Sequence, residues 1–521
     1  MKTRRMLWAV AALAMPAAGG DCAGLAKLDL SATTIVAAEE VTSGTFQPPG
    51  KEGLKDLPAF CRVTGVIRPS SDSDVRFETW MPLMGWNSKF QGTGNGGFAG
   101  SIGYAWLADA VRHGYAAAST DTGHQARTPD ASWAAGHPEK VVDFGYRAIH
   151  EMTVKGKAIT EAFYGTKPKR SYFGSCSNGG RQALMEAQRY PEDYDGIVAG
   201  APANLWTHLM ALAASSMQAT AGDAAAYIPQ AKLPAIQAAA LASCDRLDRV
   251  EDGVIENPAI CPFAPEVLLC RGAVTDKCLT QPQVKALTRL YHGLRDSKGR
   301  LLYPGYAMGG EAEWAGWGMW LTGDAPEKSS MFDFGTGFFK FMVHGDSSWD
   351  YRKFSLETDL RIAVARTAAV LNAVNPNLGR FKARGGKLIL WHGWCDAAVP
   401  ARAVIDYYQS IVKKMGSTRA GEFVRLFMVP GMQHCADSPE FGQHGVAQGD
   451  ARSDLAAALE RWVEQGIAPE EIIATKNKSA ASRIVRTRPL CAYPKVARYK
   501  GTGSTDDAAN FQCVVPGRPT I

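Results

Sequence analysis

The sequence lacks a strong excess of charge of either sign. Its 521 residues carry 57 Lys and Arg against 51 Asp and Glu, and no run of five like charges occurs. Basic helices interleaved with aromatic residues are also missing, which excludes nucleic acids and anionic membranes as expected partners. Because 46% of the residues are hydrophobic and 21% are charged, intrinsic disorder is excluded as well.

Long hydrophobic runs are scarce too. Beyond the N-terminus no stretch approaches the roughly 20 uncharged apolar residues of a transmembrane helix. Residues 1–20 place Lys2, Arg4 and Arg5 before a short apolar run and a series of small residues, which is typical of a secretory signal peptide. We therefore expect a soluble mature protein that is exported to the periplasm or beyond, where an oxidising environment favours disulfides.

No internal repeat of fixed period and no low-complexity linker interrupts the chain. From about residue 60 to 205 the chain alternates short β-rich runs with helical ones, including one long helix over VVDFGYRAIHEMTVKGKAITEAFYG, and the same alternation returns late in the chain. We expect 21–205 and 385–521 to form the two parts of one core. This pattern predicts a mostly parallel sheet covered by helices on both faces. Residues 206–384 are instead rich in Ala, then in Cys, then in Gly and Trp, and we expect them to form an inserted lid domain.

A serine lies in a short glycine-containing turn between a predicted strand and a predicted helix. The strand RSYFG leads into SCSNGG, which contains Ser177, and the helix begins directly afterwards. This order forms a nucleophile elbow, which exposes the serine hydroxyl near the helix N-terminus. Ser175 replaces the first glycine of the G-x-S-x-G motif, so a plain strand-to-helix turn is the alternative interpretation.

The other members of a catalytic triad are expected later in the chain, in the order acid and then His. Asp396 follows the strand LILWHG, and His434 follows FMVPG. Most single histidines are surface residues without a catalytic role, but His434 is adjacent to Cys435 as Ser177 is adjacent to Cys176. If Ser177 and His434 lie within hydrogen-bonding distance, the two cysteines can meet at the roughly 4.4–6.8 Å Cα separation of a disulfide.

These motifs resemble those of a known family. The segments CSNGGRQ, HGWCD and GMQHC, and the lid segments LLYPGYAMGGEAEWAGW and FGTGFFKFMVHGDSSWD, are similar to those of the tannase and feruloyl esterase family, which includes the hydrolase of mono(2-hydroxyethyl) terephthalate. The resemblance covers essentially the whole mature chain. It implies an α/β-hydrolase fold, a triad of Ser177, Asp396 and His434, and a disulfide between Cys176 and Cys435.

The expected chemistry needs an oxyanion hole as well as a triad. His434 would remove the proton of Ser177, and Asp396 would orient the imidazole. The tetrahedral oxyanion requires preorganised donors, for which we expect the Asn178 N–H and an N–H from the loop QGTGNGG, around Gly96 and Gly97. A nucleotide-binding loop is the weaker interpretation, because QGTGNGG lacks the lysine of a phosphate loop and the spacing of a dinucleotide fingerprint.

Eleven cysteines leave at least one unpaired, and sequence alone does not fix the connectivity of the others. Short separations suggest local pairs, and the resemblance implies the pairs Cys22–Cys61, Cys244–Cys261, Cys270–Cys278 and Cys491–Cys513 in addition to Cys176–Cys435. Cys395 remains, and we expect it to be a small buried residue beside the catalytic acid with no redox role.

An acidic loop in SCDRLDRVEDGVIENP suggests a cation site. Clustered carboxylates and backbone carbonyls suit calcium, although a solvated acidic loop at a helix boundary is the alternative. The resemblance implies a structural Ca²⁺ in the lid, with ligands at Asp245, Asp248, Val250, Asp252 and Val254. Family members often have glycine at the position of Arg249, so the geometry of the loop is expected to depart slightly from theirs.

Aromatic residues are dense in the lid, where a flat aromatic acyl group could bind. The cluster consists of Trp314, Trp317, Trp320, Phe338 and Phe339, and we expect Trp317 and Phe338 to contact substrate while others pack in the lid core. The function predicted is an exported serine esterase for small-molecule esters of aromatic acids, of feruloyl (hydroxycinnamoyl) or galloyl type.

Two alternatives remain open at this stage. A terephthalate monoester hydrolase needs a cationic lid residue facing the free carboxylate, and Lys328, Lys340 and Arg352 cannot be placed there from sequence. A noncatalytic binding protein on a hydrolase scaffold is disfavoured, because it has no need to keep Ser177, Asp396 and His434 in order.

Overall fold

A computed structural model of the chain describes residues 19–443, 445–477 and 484–516. The predicted signal peptide at 1–20 lies almost entirely outside the described residues. Within them, no helix has the length and apolar character that crossing a bilayer requires. The strands are β1 (Thr33–Val41), β2 (Phe60–Ile67), β3 (Val75–Pro82), β4 (Lys89–Thr93), β5 (Ala116–Thr120), β6 (Arg170–Cys176), β7 (Gly196–Gly200), β8 (Leu294–Arg295), β9 (Leu301–Tyr303), β10 (Lys387–Gly393), β11 (Val424–Val429), β12 (Glu471–Asn477), β13 (Ile484–Cys491), β14 (Val496–Tyr499) and β15 (Phe511–Val514).

The α-helices occupy the segments between these strands and make up most of the lid. They are α1 (Tyr104–Arg112), α2 (Pro138–Val142), α3 (Ala148–Tyr164), α4 (Asn178–Arg189), α5 (Trp206–Thr220), α6 (Leu233–Cys244), α7 (Gln281–His292), α8 (Ser330–Gly337), α9 (Arg361–Leu371), α10 (Gly379–Ala383), α11 (Arg402–Met415), α12 (Ser417–Gly421) and α13 (Leu455–Gln465).

Nine strands form the main sheet, in the order β1-β2-β3-β5-β4-β6-β7-β10-β11. The strands β1, β2, β3 and β5 are antiparallel neighbours, whereas β5, β4, β6, β7, β10 and β11 run parallel. The carboxyl ends of the parallel strands therefore meet at one edge of the sheet, which is where loops carry function in α/β proteins. The mostly parallel α/β sheet that the sequence predicts is confirmed.

Both faces of the parallel strands are buried. In β10, Leu388 and Leu390 pack into the apolar layer on one face, whereas Ile389 and Trp391 pack into the layer on the other. All four side chains are at most 1% exposed. Successive residues of a strand point to opposite faces, so a strand covered on both sides reads as a continuous apolar run, as LILW does here.

One helix differs from its sequence-based prediction. The expected single helix is divided into α2, a π-helical turn over Asp143–Arg147, and α3. A π-helical turn frees backbone carbonyls from the regular helical hydrogen bonds. The fully buried guanidinium of Arg181 donates to two of them, Gly145 O at 2.7 Å and Phe144 O at 3.0 Å. The π-helical turn thus binds Arg181, a side chain of the neighbouring helix α4.

The chain leaves the main sheet after β7 and returns to it at β10. Between them lie α5 to α10 and the small β8–β9 hairpin. Most of these elements pack into one apolar cluster, which also includes Phe98 and Val399 from outside the lid, whereas Phe381 of α10 packs with a layer of the sheet. This organisation agrees with an inserted lid, while the boundaries 206 and 384 remain predictions. The carboxyl-terminal part adds two further hairpins, β12–β13 and β14–β15, and Val250 of the acidic lid loop packs against the second of these.

Candidate active site

Ser177 lies between β6 and α4 in a strained conformation. Its φ of 67° and ψ of −125° are sparsely populated for a residue with a side chain, at a cost of about 1–3 kcal/mol. Two glycines make the turn possible, because a Cβ at Gly179 would lie 1.9 Å from Ser175 Oγ and one at Gly180 would lie 2.2 Å from Gly200 O. Ser175 replaces the first motif glycine without a clash because its hydroxyl occupies the space beside Gly179. The strand–turn–helix order predicted for Ser177 is confirmed.

Three side chains from three strand ends meet in a hydrogen-bonded chain. His434 Nδ1 lies 2.7 Å from Asp396 Oδ2, and His434 Nε2 lies 2.9 Å from Ser177 Oγ. A carboxylate can only accept a hydrogen bond, so Nδ1 carries the proton and Nε2 is left to accept from the serine hydroxyl. This is the geometry of a nucleophile, a general base and an orienting acid.

Asp396 is fully buried yet held in its ionised form. The N–H groups of Ala398 and Val399 donate to its Oδ1 at 2.8 and 2.7 Å. Burial alone would raise the pKa of the Asp396 carboxyl, but the charge of His434 and hydrogen bonds from His392 and His434 outweigh burial and hold the pKa well below its usual range. Asp396 can therefore orient His434 as a carboxylate over the whole physiological pH range.

His392 is a functional residue that sequence reasoning missed. Its Nε2 lies 3.0 Å from Asp396 Oδ2 and 2.9 Å from Val399 O, and its side chain is fully buried. Both neighbours are acceptors, so Nε2 carries a proton and Asp396 Oδ2 receives a hydrogen bond from each of two imidazoles. The only signal in the sequence is the spacing of four residues between His392 and Asp396 in HGWCD.

The loop after β4 faces the nucleophile. Gly96, Gly97, Asn178 and Ser177 line the same cavity. A Cβ at Gly96 would meet no atom within 4 Å, so this residue borders open space, whereas Gly97 has a φ of 55° and a Cβ there would lie 2.2 Å from Thr128 Cγ2. The structure thus brings the predicted oxyanion-hole residues together, and their role as donors remains a prediction.

Hydrogen bonds fix this loop to α4. Asn95 N–H donates to Gln182 Oε1 at 2.9 Å, and Gln182 Nε2 donates to Asn95 Oδ1 at 3.2 Å. Asn178 Nδ2 donates to Asn95 O at 3.2 Å, and Asn95 Nδ2 donates to Thr120 O at 2.7 Å. Gln182 is fully buried, so this pair of side-chain amides couples the glycine loop to the helix that begins at the nucleophile. We call the reciprocal Asn95–Gln182 pair the amide clamp.

A cavity of about 460 Å³ opens above Ser177 and His434. Its lid wall is apolar and consists of Trp206, Leu209, Met210, Trp320, Met331 and Phe334. The Trp320 ring meets the His434 imidazole edge-on at 5.0 Å between centroids and is nearly parallel to the Phe334 ring at 6.3 Å. Within the described residues, no Lys or Arg lines this cavity.

The structure does not bring Trp317 and Phe338, the two predicted substrate contacts, to this cavity. They are 1% and 0% exposed and do not line the cavity. Trp317 packs on Tyr291 at 5.4 Å, and Phe338 packs on another lid ring at 5.1 Å. Some lid aromatic side chains pack in the lid core and others face the cavity. They are similarly hydrophobic, so residue type alone does not predict which of them face the cavity. Trp320 is the member of the predicted cluster that does line the cavity.

The structure contains all five predicted disulfides, Cys22–Cys61, Cys176–Cys435, Cys244–Cys261, Cys270–Cys278 and Cys491–Cys513. The Cys176–Cys435 bridge has a Cα separation of 6.1 Å and joins the residue before the nucleophile to the residue after the base. Cys395 is unpaired and buried, and burial raises the pKa of its thiol far above the ordinary value. Such a thiol is unreactive, in agreement with the packing role expected for it.

The acidic lid loop brings hard oxygen donors close together. Burial raises the pKa of the Asp248 carboxyl, and the charges of Asp252 and Asp245 raise it further. A divalent cation would relieve this repulsion, so the donor chemistry fits Ca²⁺. In the described structure the three carboxylates are not gathered within 4.8 Å of one another. Arg249 has a φ of 74°, in the region that favours glycine.

Two guanidinium groups already bind one carboxylate of this loop. Arg488 Nη2 donates to Asp252 Oδ2 at 2.5 Å, and Arg486 Nη1 lies 3.2 Å from the same oxygen. The loop backbone uses the other oxygens, since Gly253 N–H donates to Asp245 Oδ2 at 2.9 Å. Backbone N–H groups and arginines thus offset part of the negative charge that a bound cation would offset.

The sheet order and the residues at its carboxyl edge define the class of this protein as an α/β-hydrolase with esterase relatives. It is similar to the crystal structure of feruloyl esterase B from Aspergillus oryzae, with a TM-score of 0.87 and 30% identity over 95% of this chain and 99% of that one. It also resembles in fold the tannin acyl hydrolase from Aspergillus niger, with a TM-score of 0.75 and 23% identity over 93% of this chain and 92% of that one.

The particular family follows from sequence comparison. The family model described as tannase and feruloyl esterase matches residues 61–514, and the chain belongs to this family. An uncharacterised esterase of Xanthomonas campestris pv. campestris is 43% identical over 541 aligned positions, covering 98% of this chain and 94% of that protein. A probable feruloyl esterase B-1 of Aspergillus fumigatus is 33% identical over 87% of this chain and 86% of its own length. The protein is a carboxylic ester hydrolase.

Proposed function

We propose that the protein is an exported serine esterase that hydrolyses esters of aromatic acids, of feruloyl or galloyl type, through an acyl-serine intermediate. The observation that carries the proposal is the Ser177–His434–Asp396 chain at the floor of a cavity whose lid wall is apolar and aromatic. The relatives named as feruloyl esterases support the acyl class.

The reaction follows from this geometry. His434 Nε2 takes the hydroxyl proton as Ser177 Oγ attacks the ester carbonyl, and the resulting imidazolium is stabilised by Asp396. The carbonyl oxygen becomes an oxyanion, for which the Asn178 N–H and an N–H of the glycine loop are the proposed donors. His434 then gives its proton to the leaving alkoxide, and the acyl group remains on Ser177. A water molecule, activated by the same imidazole, releases the free acid.

The cavity favours a flat acyl group. Trp320 and Phe334 have rings within 17° of parallel, and Trp206 belongs to the same wall. Burying an aromatic ring against such side chains contributes binding energy remote from the scissile bond, which can be used to position the carbonyl for attack.

A terephthalate monoester is a less suitable substrate. Its free carboxylate would enter an apolar cavity, and burying an unpaired charge costs several kcal/mol or more. Lys328, Lys340 and Arg352 are not among the residues that line the cavity, and Arg352 pairs with Asp350 at 3.3 Å. Neutral aromatic acyl groups carry no such cost.

The experiment measures kcat/KM for methyl ferulate, methyl gallate, the terephthalate monoester and ethyl acetate. The parent enzyme should prefer the first two, and Ser177→Ala should lose activity on all four. Ser243→Ala, an exposed serine on α6, is the matched control and should behave as the parent. Activity of Ser177→Ala equal to that of the parent would contradict the mechanism, and a preference for the terephthalate monoester would contradict the substrate class.

We also propose that the acidic lid loop binds a structural Ca²⁺ through the carboxylates of Asp245, Asp248 and Asp252 and the carbonyls of Val250 and Val254. The raised pKa of Asp248 supports a cation there. Binding to the folded state alone stabilises it, by about 2.7 kcal/mol when the ion is at a hundred times its Kd.

Chelation with EGTA should therefore lower the Tm, and added Ca²⁺ should restore it. Asp248→Asn should reduce this response, whereas Glu251→Gln, an exposed carboxylate of the same loop paired with Arg246, should not. Immediate loss of activity in a protein that remains folded would show that the ion shapes the catalytic cavity instead.

Export is supported by the five disulfides, which require an oxidising environment to form and persist. N-terminal sequencing of protein recovered from the culture medium or periplasm tests the signal peptide at 1–20. An N-terminus at Met1 in the exported protein would rule out cleavage there.

A further inference from the structure

A second cluster of ligating side chains lies at the end of α4 away from the nucleophile. His150 belongs to the first turn of α3, Glu186 to the second half of α4, and Asp193 to the turn before β7. One nitrogen or oxygen ligand atom from each lies within 4.8 Å of the others, and among the described residues no other set of three His, Cys, Asp or Glu residues meets this condition. Glu186 is nine residues beyond Ser177, so the cluster is separate from the catalytic centre.

Glu186 is the unusual member of this cluster. It is fully buried, and neither carboxylate oxygen has a hydrogen-bond partner. A buried carboxylate without a donor is costly by several kcal/mol, so this group must either hold a proton or meet a cation.

The other two members are hydrogen-bonded to each other. His150 Nδ1 lies 2.6 Å from Asp193 Oδ2, and its ring stacks on Tyr190 at 3.7 Å with an interplanar angle of 6°. The stacking fixes the plane of the imidazole. The His150 side chain is 26% exposed, which leaves an edge through which an ion can enter from solvent.

Among the residues that the structure describes, no Lys or Arg forms an ion pair with the Glu186 or Asp193 carboxylate. Lys157 is the nearest, and its ammonium donates to the backbone carbonyl of Asp193 and lies 5.2 Å above the Tyr194 ring. Arg384 donates to Pro191 O and to Asp195 instead. Among the described residues, the His150 imidazole is the cationic group within ion-pair distance of one of these carboxylates, that of Asp193.

We propose that His150, Glu186 and Asp193 form a binding site for a divalent cation of the zinc type. An imidazole nitrogen together with two carboxylates suits first-row transition ions and does not suit Ca²⁺, which prefers oxygen ligands only. Three protein ligands and one water complete the tetrahedral coordination that Zn²⁺ adopts. The ion replaces the missing donor of Glu186 and ties α3, α4 and the turn before β7 together, without contact with substrate.

The test is a calorimetric titration of the metal-stripped full-length protein with Zn²⁺, in buffer with about 1 mM Ca²⁺ so that the lid loop does not compete. We expect one Zn²⁺ per chain and a rise in Tm on binding. Glu186→Gln and His150→Phe, which keep the shape of the side chain and the stacking on Tyr190, should each weaken binding by about 10-fold or more. Glu192→Gln is the matched control, because Glu192 is exposed in the same turn and pairs with Arg380.

Substitution of Zn²⁺ by Co²⁺ gives a second readout that needs no variant. Co²⁺ bound by an imidazole and two carboxylates should show visible absorption bands that Zn²⁺ abolishes. Failure of the parent protein to bind either ion, with Glu186→Gln more stable than the parent, would identify Glu186 as a protonated residue and overturn the proposal. Binding that is equally strong in Glu186→Gln and His150→Phe would place the metal elsewhere and overturn it too. The esterase activity of Glu186→Gln should match that of the parent in either case.

Discussion

The two walls of the catalytic cavity are held in place by different kinds of interaction. On the sheet side, Ser177, Asp396 and His434 follow strand ends, and hydrogen bonds of 2.7–2.9 Å fix their relative positions. On the lid side, Trp320 and Phe334 are placed by apolar packing in a cluster that consists mainly of lid residues. Directional hydrogen bonds fix the positions of the triad atoms closely, whereas apolar packing fixes only the shape of the cavity wall. The sheet wall should therefore govern the rate on every ester, and the lid wall should govern which ester is preferred.

The largest expected effect belongs to the sheet wall. Asp396→Asn should lower kcat by about 10⁴-fold on aromatic and acetate esters alike, because the imidazole loses the partner that fixes its tautomer. Asp406→Asn, an exposed carboxylate paired with Arg402, is the control and should have little effect. Steady-state kinetics on methyl ferulate and ethyl acetate give the comparison. A loss confined to one ester would contradict the division between the walls.

Removal of a disulfide on the sheet side should destabilise the protein more than removal of a disulfide in the lid. The Cys176–Cys435 bridge spans 259 residues, and the chain-entropy model assigns its removal about 5.5 kcal/mol. The Cys270–Cys278 bridge in the lid spans 8 residues and is assigned about 2.5 kcal/mol. Paired Cys→Ala variants, compared by chemical denaturation, should follow this order. Only the first pair should also lower turnover, and equal turnover in the two would show that the bridge does not position His434.

The lid wall should affect selectivity by a smaller amount. Trp320→Ala should lower the ratio of kcat/KM for methyl ferulate to that for ethyl acetate by about 10- to 100-fold, corresponding to the loss of one ring contact. Trp317→Ala is the matched comparison, because Trp317 is buried in the lid core. It should destabilise the protein by about 3–5 kcal/mol and leave the ratio unchanged. The reverse result would restore Trp317 as the substrate contact.

The smallest effect is expected at the amide clamp. Gln182→Met removes both hydrogen bonds to Asn95 and should lower kcat by about 10-fold with little change in KM, because the glycine loop is then less well placed for the oxyanion. Gln188→Met, on the same helix but bonded to Tyr407, should leave kcat unchanged. A change confined to KM would indicate that the clamp shapes the substrate cavity.

The sequence was informative where chemistry demands particular residues at particular places. Ser177 in its turn, Asp396 and His434 after strands, and the adjacency of cysteines to two of them were sufficient to predict the triad and one long-range disulfide. These features depend on the order of strand, turn and helix along the chain, and that order can be recognised in the sequence.

The features that sequence missed depend on which side of an element faces which neighbour. Trp317 and Trp320 are three residues apart, yet the first packs on Tyr291 and the second on His434. In the sequence, His392 looks like any other residue of β10. Its position beside Asp396 is visible only in the folded chain. The π-helical turn before α3 likewise binds Arg181, which belongs to another helix, α4.

The Cys176–Cys435 bridge also makes the segment from 177 to 434 a covalently closed ring. A protease that cuts once anywhere in this ring, including the lid, produces two polypeptides that remain one molecule until the bridge is reduced. The nucleophile half and the histidine half therefore cannot diffuse apart after nicking. A cut in a lid loop therefore leaves the neighbours of Ser177 and His434 joined, with their Cα atoms 6.1 Å apart.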